Sequence, residues 1–440
     1  MSGLRVVPSV AAGLVLGAHF LRAMMVGPAL AAVLVIPVLL LLGRRWCLRF
    51  AQMLLVLGAV EWGRTALLLI ADRQAQGESW GRPAAILGAV AVVTLLGAYL
   101  LGTGPVLRRY GAERGSTWVS VGAALLTLVL LVPVQLVVDP PGLLLERFVP
   151  TFGWLELIAL SLYAGRLAES MIQPDLSAVW RRRVWRLFSA VFFGQLLIGL
   201  AGADSFLMTG RLHLPVPALI VAGPLYRGAG FFMPILFTAT VVLVGPAWCS
   251  HLCYIGAWDD VAARGSGGKA RRPRPLPGWH RRLQTVVLAT TVVAALGLRA
   301  AGAPWQVAVA VAAAFGVGGV AVMVVWSRRL GVMTHCVSYC PIGVVSTTLG
   351  RVNPFRVRIA EGCDGCGACS AACRYGALRA DHIAALTPGP SCTLCGDCVS
   401  RCRSGRLGYR LLGLDPWRAR AVFITLVVAL HAAFLGVARL

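Results

Sequence analysis

The chain has 440 residues, of which 58% are hydrophobic and 13% charged, with a formal net charge of +24. Its mean hydropathy of +0.78 excludes an ordinary soluble enzyme, a disordered chain and a fibrous one, because too few polar residues remain to clothe a water-exposed surface. Thirteen cysteines amount to about 3% of the chain, well below the roughly 8–10% of a disulfide scaffold.

Apolar runs long enough for a bilayer, which takes roughly 20 residues, are predicted at 8–26, 28–43, 50–72, 84–102, 119–138, 150–170, 185–203, 229–248, 283–300, 304–326 and 420–438. Arginine and lysine gather after the even-numbered runs: Arg44, Arg45 and Arg49; Arg108, Arg109 and Arg114; Arg181, Arg182, Arg183 and Arg186; Lys269, Arg271, Arg272, Arg274, Arg281 and Arg282; and Arg328 and Arg329. The odd exits, such as Asp139-Pro140-Pro141-Gly142, are poor in positive charge. Basic loops stay cytoplasmic during insertion, so the expected fold is a polytopic α-helical membrane protein. It has about eleven transmembrane helices, N-terminus inside and C-terminus outside. No cleavable signal peptide is expected, because the first run has little basic flank and continues into membrane. The proline-rich stretch 214–224 is expected to re-enter the membrane, and Gly265 to Pro277 reads as a flexible basic linker. The positive charge lies in short loops, which points to anionic membrane lipids and acidic redox partners and to no nucleic acid.

The chain is expected to divide at 1–184, six helices of unassigned function; 185–350, a membrane core with a duplicated two-helix unit; 351–413, a small cytoplasmic ferredoxin-like domain; and 414–440, a last transmembrane helix. The ferredoxin assignment rests on Cys363-x2-Cys366-x2-Cys369-x3-Cys373 and Cys392-x2-Cys395-x2-Cys398-x3-Cys402. This is the spacing of bacterial two-cluster ferredoxins, in which three thiolates cover one face of a cubane and the fourth reaches the neighbouring cluster. Cys363, Cys366, Cys369 and Cys402 are therefore expected to hold one [4Fe–4S] cluster, and Cys392, Cys395, Cys398 and Cys373 the other. Zinc is the weaker reading, since structural zinc sites usually use separated C-x2-C pairs. Flanking alternations at Phe355–Ile359 and Leu407–Leu411 read as short strands. Arg374 and Arg403 occupy the positions after the fourth cysteines where the ferredoxin pattern has proline, and their charge is expected to raise the cluster potentials.

Two further pairs, Cys249-Ser-His-Leu-Cys253 and Cys336-Val-Ser-Tyr-Cys340, each follow an outgoing and a returning run, and both continue into an Ile-Gly step, Ile255-Gly256 and Ile342-Gly343. On an α-helix this spacing would put both sulfurs on one face. Together the pairs offer four thiolates to a third iron–sulfur cluster or another thiophilic metal. His251 and His335 adjoin them. Cys47 has no partner in sequence and is expected to be a packed thiol.

The stretch from about 185 to 412 resembles membrane iron–sulfur proteins of the NapH/NosR/CcoG type, through Gly245-Pro246-Ala247-Trp248-Cys249-Ser250-His251-Leu252-Cys253, Cys336 to Pro341, and the two ferredoxin motifs. The resemblance implies a bacterial inner-membrane protein that moves electrons between a cytoplasmic donor or the quinone pool and a membrane or extracytoplasmic redox partner, as a subunit of a larger complex. One branch is linked to copper reduction, which makes a copper-binding and copper-reducing protein the alternative. Tyr254 replaces the proline of the first C-x3-C-P motif, and residues 1–184 have no recognised counterpart.

Charged groups at membrane depth are costly and tend to face a functional cavity or one another. Glu61, Glu156 and His19 are the candidates for a quinone or proton site. Pairing of Glu61 with Arg64 to fix helix register is the competing reading. A transporter is less favoured, because the first six runs show no broken helix pair.

Overall fold

The computed structural model describes residues 5–110, 115–139, 141–203, 206, 214–265 and 272–437. Arg114, Pro140, Lys269 and Arg271 fall outside the described residues. The chain divides into two compact units, Met1–Glu169 and Ser170–Leu440.

The first unit is helical: α1 (Val7–Arg22), α2 (Val26–Leu41), α3 (Arg45–Ala75), α4 (Gly81–Leu101), α5 (Ser116–Val137) and α6 (Gly153–Met171), whose last turn carries the chain into the second unit. α1 packs along α2, and α3 along α4. Leu39, Trp46, Leu48, Phe50 and Leu101 fill the centre, with Cys47 among them as a packed thiol.

The second unit opens with α7 (Pro174–Leu200), which has proline in its first turn where no amide partner is needed. The nine-residue α8 (Leu219–Arg227) is far too short to cross a bilayer and ends at Gly228 in the left-handed region, φ +72°. α9 (Phe232–Val244) stops at Gly245, whose φ of +67° excludes other residues at low cost. There the chain tightens through a 3₁₀ turn into a π-helical turn at Trp248–Leu252 and resumes as α10 (Tyr254–Arg264). After α11 (His280–Ala300) and α12 (Trp305–Val322) the same device recurs, with a π turn at His335–Tyr339 leading into α13 (Pro341–Leu349).

Two antiparallel strands follow, β1 (Phe355–Ile359) and β2 (Leu407–Leu411), in the register Phe355↔Leu411 to Ile359↔Leu407. The cysteine loops lie between them in sequence. Phe355, Val357, Ile359, Leu407 and Tyr409 face inward. The last helix, α14 (Pro416–Val437), brings Phe423 against Tyr409 (4.6 Å between ring centroids) and Phe355 (5.5 Å).

Each predicted apolar run coincides with a helix. Among the described residues eight segments are long and apolar enough to cross a membrane: α3, α4, α5, α7, Phe232–Leu252, α11, Trp305–Leu330 and α14. α1 and α2 have 16 residues each, about 24 Å of helix against a hydrocarbon core of about 30 Å. α6 carries Glu156, Arg166 and Glu169 within 19 residues, which lowers its apolar character.

Candidate metal centres

Cys363, Cys366, Cys369 and Cys402 line one small cavity. Cys373, Cys392, Cys395 and Cys398 line another. Each cavity takes three cysteines from one loop and the fourth from the other. The fourth cysteine of each motif ends a helical turn and does not begin one. Cys373 and Cys402 each follow a short helical turn, with extended backbone (ψ 101° and 104°), so the chain leaves the turn and carries the thiol away from its own loop. Gly396 permits the second loop to close. A Cβ there would lie 2.5 Å from the Tyr409 hydroxyl, which donates to the Leu394 carbonyl at 2.9 Å.

The two cavities differ in exposure. The first opens to solvent at Cys366, whereas Cys373 and Cys398 of the second are buried. Burial pushes the Cys392 and Cys395 thiols up to about 12 and Cys373 to about 11. Thiolates persist in such surroundings when bonded to a metal. The Ala377 amide donates to Cys373 Sγ at 3.3 Å, a contact of the kind that tunes a bound cluster.

The remaining two pairs meet in a third place. Neither pair lies on a regular α-helix. Cys249 and Cys336 each sit in a π turn, and Cys253 and Cys340 each occupy the extended residue that ends it. The i→i+5 bonds Cys253 N–H to Trp248 O (2.9 Å) and Cys340 N–H to His335 O (2.7 Å) are equivalent. Single π turns are uncommon and are frequent at functional sites; a further one lies at Met323–Ser327. The Cys336 thiol is driven far above its ordinary range by burial, by the Asp259 carboxylate, and by the Cys340, Cys253 and Cys249 thiols around it. The turns are clamped from several directions. Asp259 Oδ2 accepts the Cys336 amide (2.9 Å), Gln284 donates to the Cys336 and Cys340 carbonyls (2.9 and 2.8 Å), and Trp185 Nε1 donates to the Cys253 carbonyl (2.7 Å).

Among the described residues no three cysteine, histidine or carboxylate groups converge on a point that could hold a single metal ion. The thiols instead ring cavities. A cubane carries its thiolates at separate corners, so this arrangement suits four-iron clusters better than mononuclear zinc or copper.

The second and third sites are neighbours. Tyr375 and Thr393 line the cavities of both. Tyr375 donates to the Cys249 carbonyl (3.1 Å) and Ser250 to the Thr393 carbonyl (2.9 Å). Beside this wall lies a charge network. Arg181 makes a two-point contact with Asp397 (3.0 and 2.9 Å) and also donates to the Ser250 carbonyl (2.9 Å). Arg264 reaches Asp397 (2.7 Å) and Asp260 (2.9 Å). Burial alone would raise the Asp397 carboxyl, but the Arg181 and Arg264 guanidiniums outweigh it and hold it below the ordinary carboxylate range. None of these charges stood out in sequence. The available signals were Asp397 between two ligand-spaced cysteines and the acidic pair Asp259-Asp260 in a basic loop.

Arg374 is buried and donates to the Gly331 carbonyl at 2.8 Å, whereas Arg403 is exposed to screening solvent. The electrostatic influence of the two arginines is therefore unequal. Arg374→Gln is expected to lower the midpoint of a cluster held at Cys373 by up to about 60 mV, the equivalent of a tenfold change for one electron. Arg403→Gln will shift its cluster much less. Redox titration followed by EPR checks both, and equal shifts would refute the distinction.

The membrane candidates do not assemble into one site. Glu61 forms a two-point pair with Arg64 (2.6 and 2.7 Å), with His19 Nε2 at 3.7 Å. Glu156 is engaged elsewhere, accepting the Leu145 amide at 2.7 Å. His251 contacts Ser250 Oγ through Nδ1 (3.0 Å), and His335 packs beside Tyr339.

Residues 226–277 match a family model described as a 4Fe-4S binding domain. The matched segment runs through α9, the first π turn and α10, so it contains Cys249 and Cys253. No curated protein and no solved structure matches the chain. The match supports an iron–sulfur protein, and the apolar helices fit a multi-pass membrane protein.

Proposed function

We propose that the chain is an integral-membrane electron-transfer protein of the NapH/NosR/CcoG type. It relays electrons between a cytoplasmic donor or the quinone pool and a membrane or extracytoplasmic partner. In this reading it spans a bacterial inner membrane eleven times, N-terminus inside, with the 351–413 domain in the cytoplasm. Cys363, Cys366, Cys369 and Cys402 hold one [4Fe–4S] cluster, Cys373, Cys392, Cys395 and Cys398 a second, and Cys249, Cys253, Cys336 and Cys340 a third. A bound [4Fe–4S] cluster supplies one-electron uptake and release.

The observation that carries this reading is the sequence of three cysteine-lined cavities from an exposed to a buried position. Val357 and Ile359, two residues apart on the inward face of β1, line the second and first cavities, which sets those sites side by side. Tyr375 and Thr393 separate the second from the third. The chain thus spaces its sites and excludes water from the inner two. In this topology all twelve motif cysteines are on one side of the membrane, and the hydrocarbon core is about 30 Å thick, so a diffusing quinone is the economical acceptor or donor on the membrane side. The test is quinone-analogue reduction by the dithionite-reduced protein. Cys363→Ala and Cys392→Ala are expected to cut the rate about 100-fold or more, since each breaks the only relay; an unchanged rate refutes the proposal.

At the exposed end, Arg356, Arg358, Arg406 and Arg410 line an open cleft, and Arg406 borders the first cysteine cavity as well. This surface suits an acidic electron carrier. Arg406→Glu with Arg410→Glu will slow electron exchange with an acidic ferredoxin about tenfold at low ionic strength. The difference will shrink above a few hundred millimolar salt, where the Debye length falls to a few ångströms. Stopped-flow measurement over a salt series checks this.

A further inference from the structure

An elongated cavity of about 340 Å³ lies between α8, α11 and α12, within the usual range for small-molecule sites of roughly 300–1,000 Å³. Its long wall runs on α11 from Val287 to Leu298, about 16 Å of helix. Toward one end lie Thr290, Thr291, Phe315 and Tyr339; toward the other, Ala308, Leu298 and Tyr226, whose hydroxyl donates to the Ala303 carbonyl at 2.7 Å. Tyr339 stands between Cys336 and Cys340 in sequence. Its ring stacks on Phe315 at 4.6 Å and 25°, and its hydroxyl donates to the Phe315 carbonyl at 2.9 Å. One turn beyond the cavity on α11, Gln284 binds the carbonyls of those same two cysteines.

We infer that this cavity binds a lipid-soluble quinone, with its ring at Tyr339 and Phe315 and its isoprenoid tail along α11 toward Leu298. Three observations select that ligand. The cavity is lined by apolar side chains along α11 and α12 with a few hydroxyls toward its ends, so its occupant is mostly apolar and carries few polar groups. No charged side chain lines it, which disfavours a phospholipid head, whose phosphate would go unpaired. The aromatic pair offers a flat face to a flat ring. The hydroxyls of Tyr339 and Thr291 already donate to carbonyls (2.9 and 2.8 Å), leaving lone pairs to accept from a quinol. None of Glu61, Glu156 and His19 lines it. Its redox role rests on the electron-transfer reading above: conversion of quinone to quinol takes two electrons, supplied singly by the cysteine sites, and two protons from water.

The test uses the full chain, purified without oxygen in nanodiscs, and an azido derivative of a short-chain quinone as photolabel. Labelling is expected within 287–298 or at Phe315 and Tyr339, and excess unlabelled quinone should displace it. Ala294→Trp fills the cavity and should reduce labelling at least tenfold with iron content unchanged. Ala312→Leu, a milder filling, serves if the tryptophan variant does not fold. Iron-replete protein that labels elsewhere, retains labelling in both variants, or exchanges the label as readily for phospholipid as for quinone overturns the inference. Iron-free protein that still labels this cavity would sink the electron-transfer reading and leave the binding site standing.

Discussion

Protein purified without oxygen will contain about twelve irons and as many acid-labile sulfides per chain, and Cys249→Ala combined with Cys340→Ala will lower both to about eight. The expectation comes from three cysteine-lined cavities, the third lined by Cys249 and Cys336, and from the repeated π turns that gather four thiols there. Those thiols are costly to leave bare. Cys340 is pushed up to about 12 by burial and by the neighbouring Cys253, so the unloaded site holds protonated thiols, and metal binding must release protons. The 226–277 match to a 4Fe-4S binding domain covers the first of these two pairs, which favours iron over copper. Iron at about eight in both proteins, with copper lost from the variant, would assign the third site to copper handling instead. EPR separates the cases, since a third cluster adds a signal that the double variant lacks.

Asp397→Ala will destabilise the second unit by about 3–5 kcal/mol, because Arg181 then remains buried without its two-point partner. Arg181 lies in α7 and Asp397 in the second cysteine loop, so the pair ties the cysteine loops to a long apolar helix. The loss should appear as faster proteolysis of the 360–405 stretch and as selective loss of the Cys392 cluster. Asp397→Asn, which keeps part of the hydrogen bonding, will cost less. Arg181→Met with Asp397→Leu will recover much of the stability, since removing both charges leaves neither one unpaired. A single variant as stable as the parent, or a double variant no better than Asp397→Ala, would show that the network does not hold the domain in place. Arg264 moderates the effect, because it pairs with Asp260 as well as Asp397.

Much of this chain was legible as sequence because the relevant physics is local. An apolar run must hydrogen-bond its own backbone in lipid, so each run becomes a helix. Four cysteines within eleven residues are held near one another by chain length alone, and alternation at Phe355–Ile359 and Leu407–Leu411 is enough to specify paired strands. Glu61 and Arg64 met because residues three apart share a helix face. The C-x3-C pairs were only half legible. Their duplication could be read, but the π turns depend on Gly245, on Asp259 and on Gln284, 52 residues away from Cys336. The tertiary structure alone decided the rest. Arg181 and Asp397 are 216 positions apart, Tyr375 reaches Cys249 across 126, and the cavity beside Tyr339 draws its walls from three helices and one π turn. No local pattern encodes such meetings. They arise when helices buried for their apolar faces bring along the few polar groups they carry, and those groups must then find partners in each other because water is excluded.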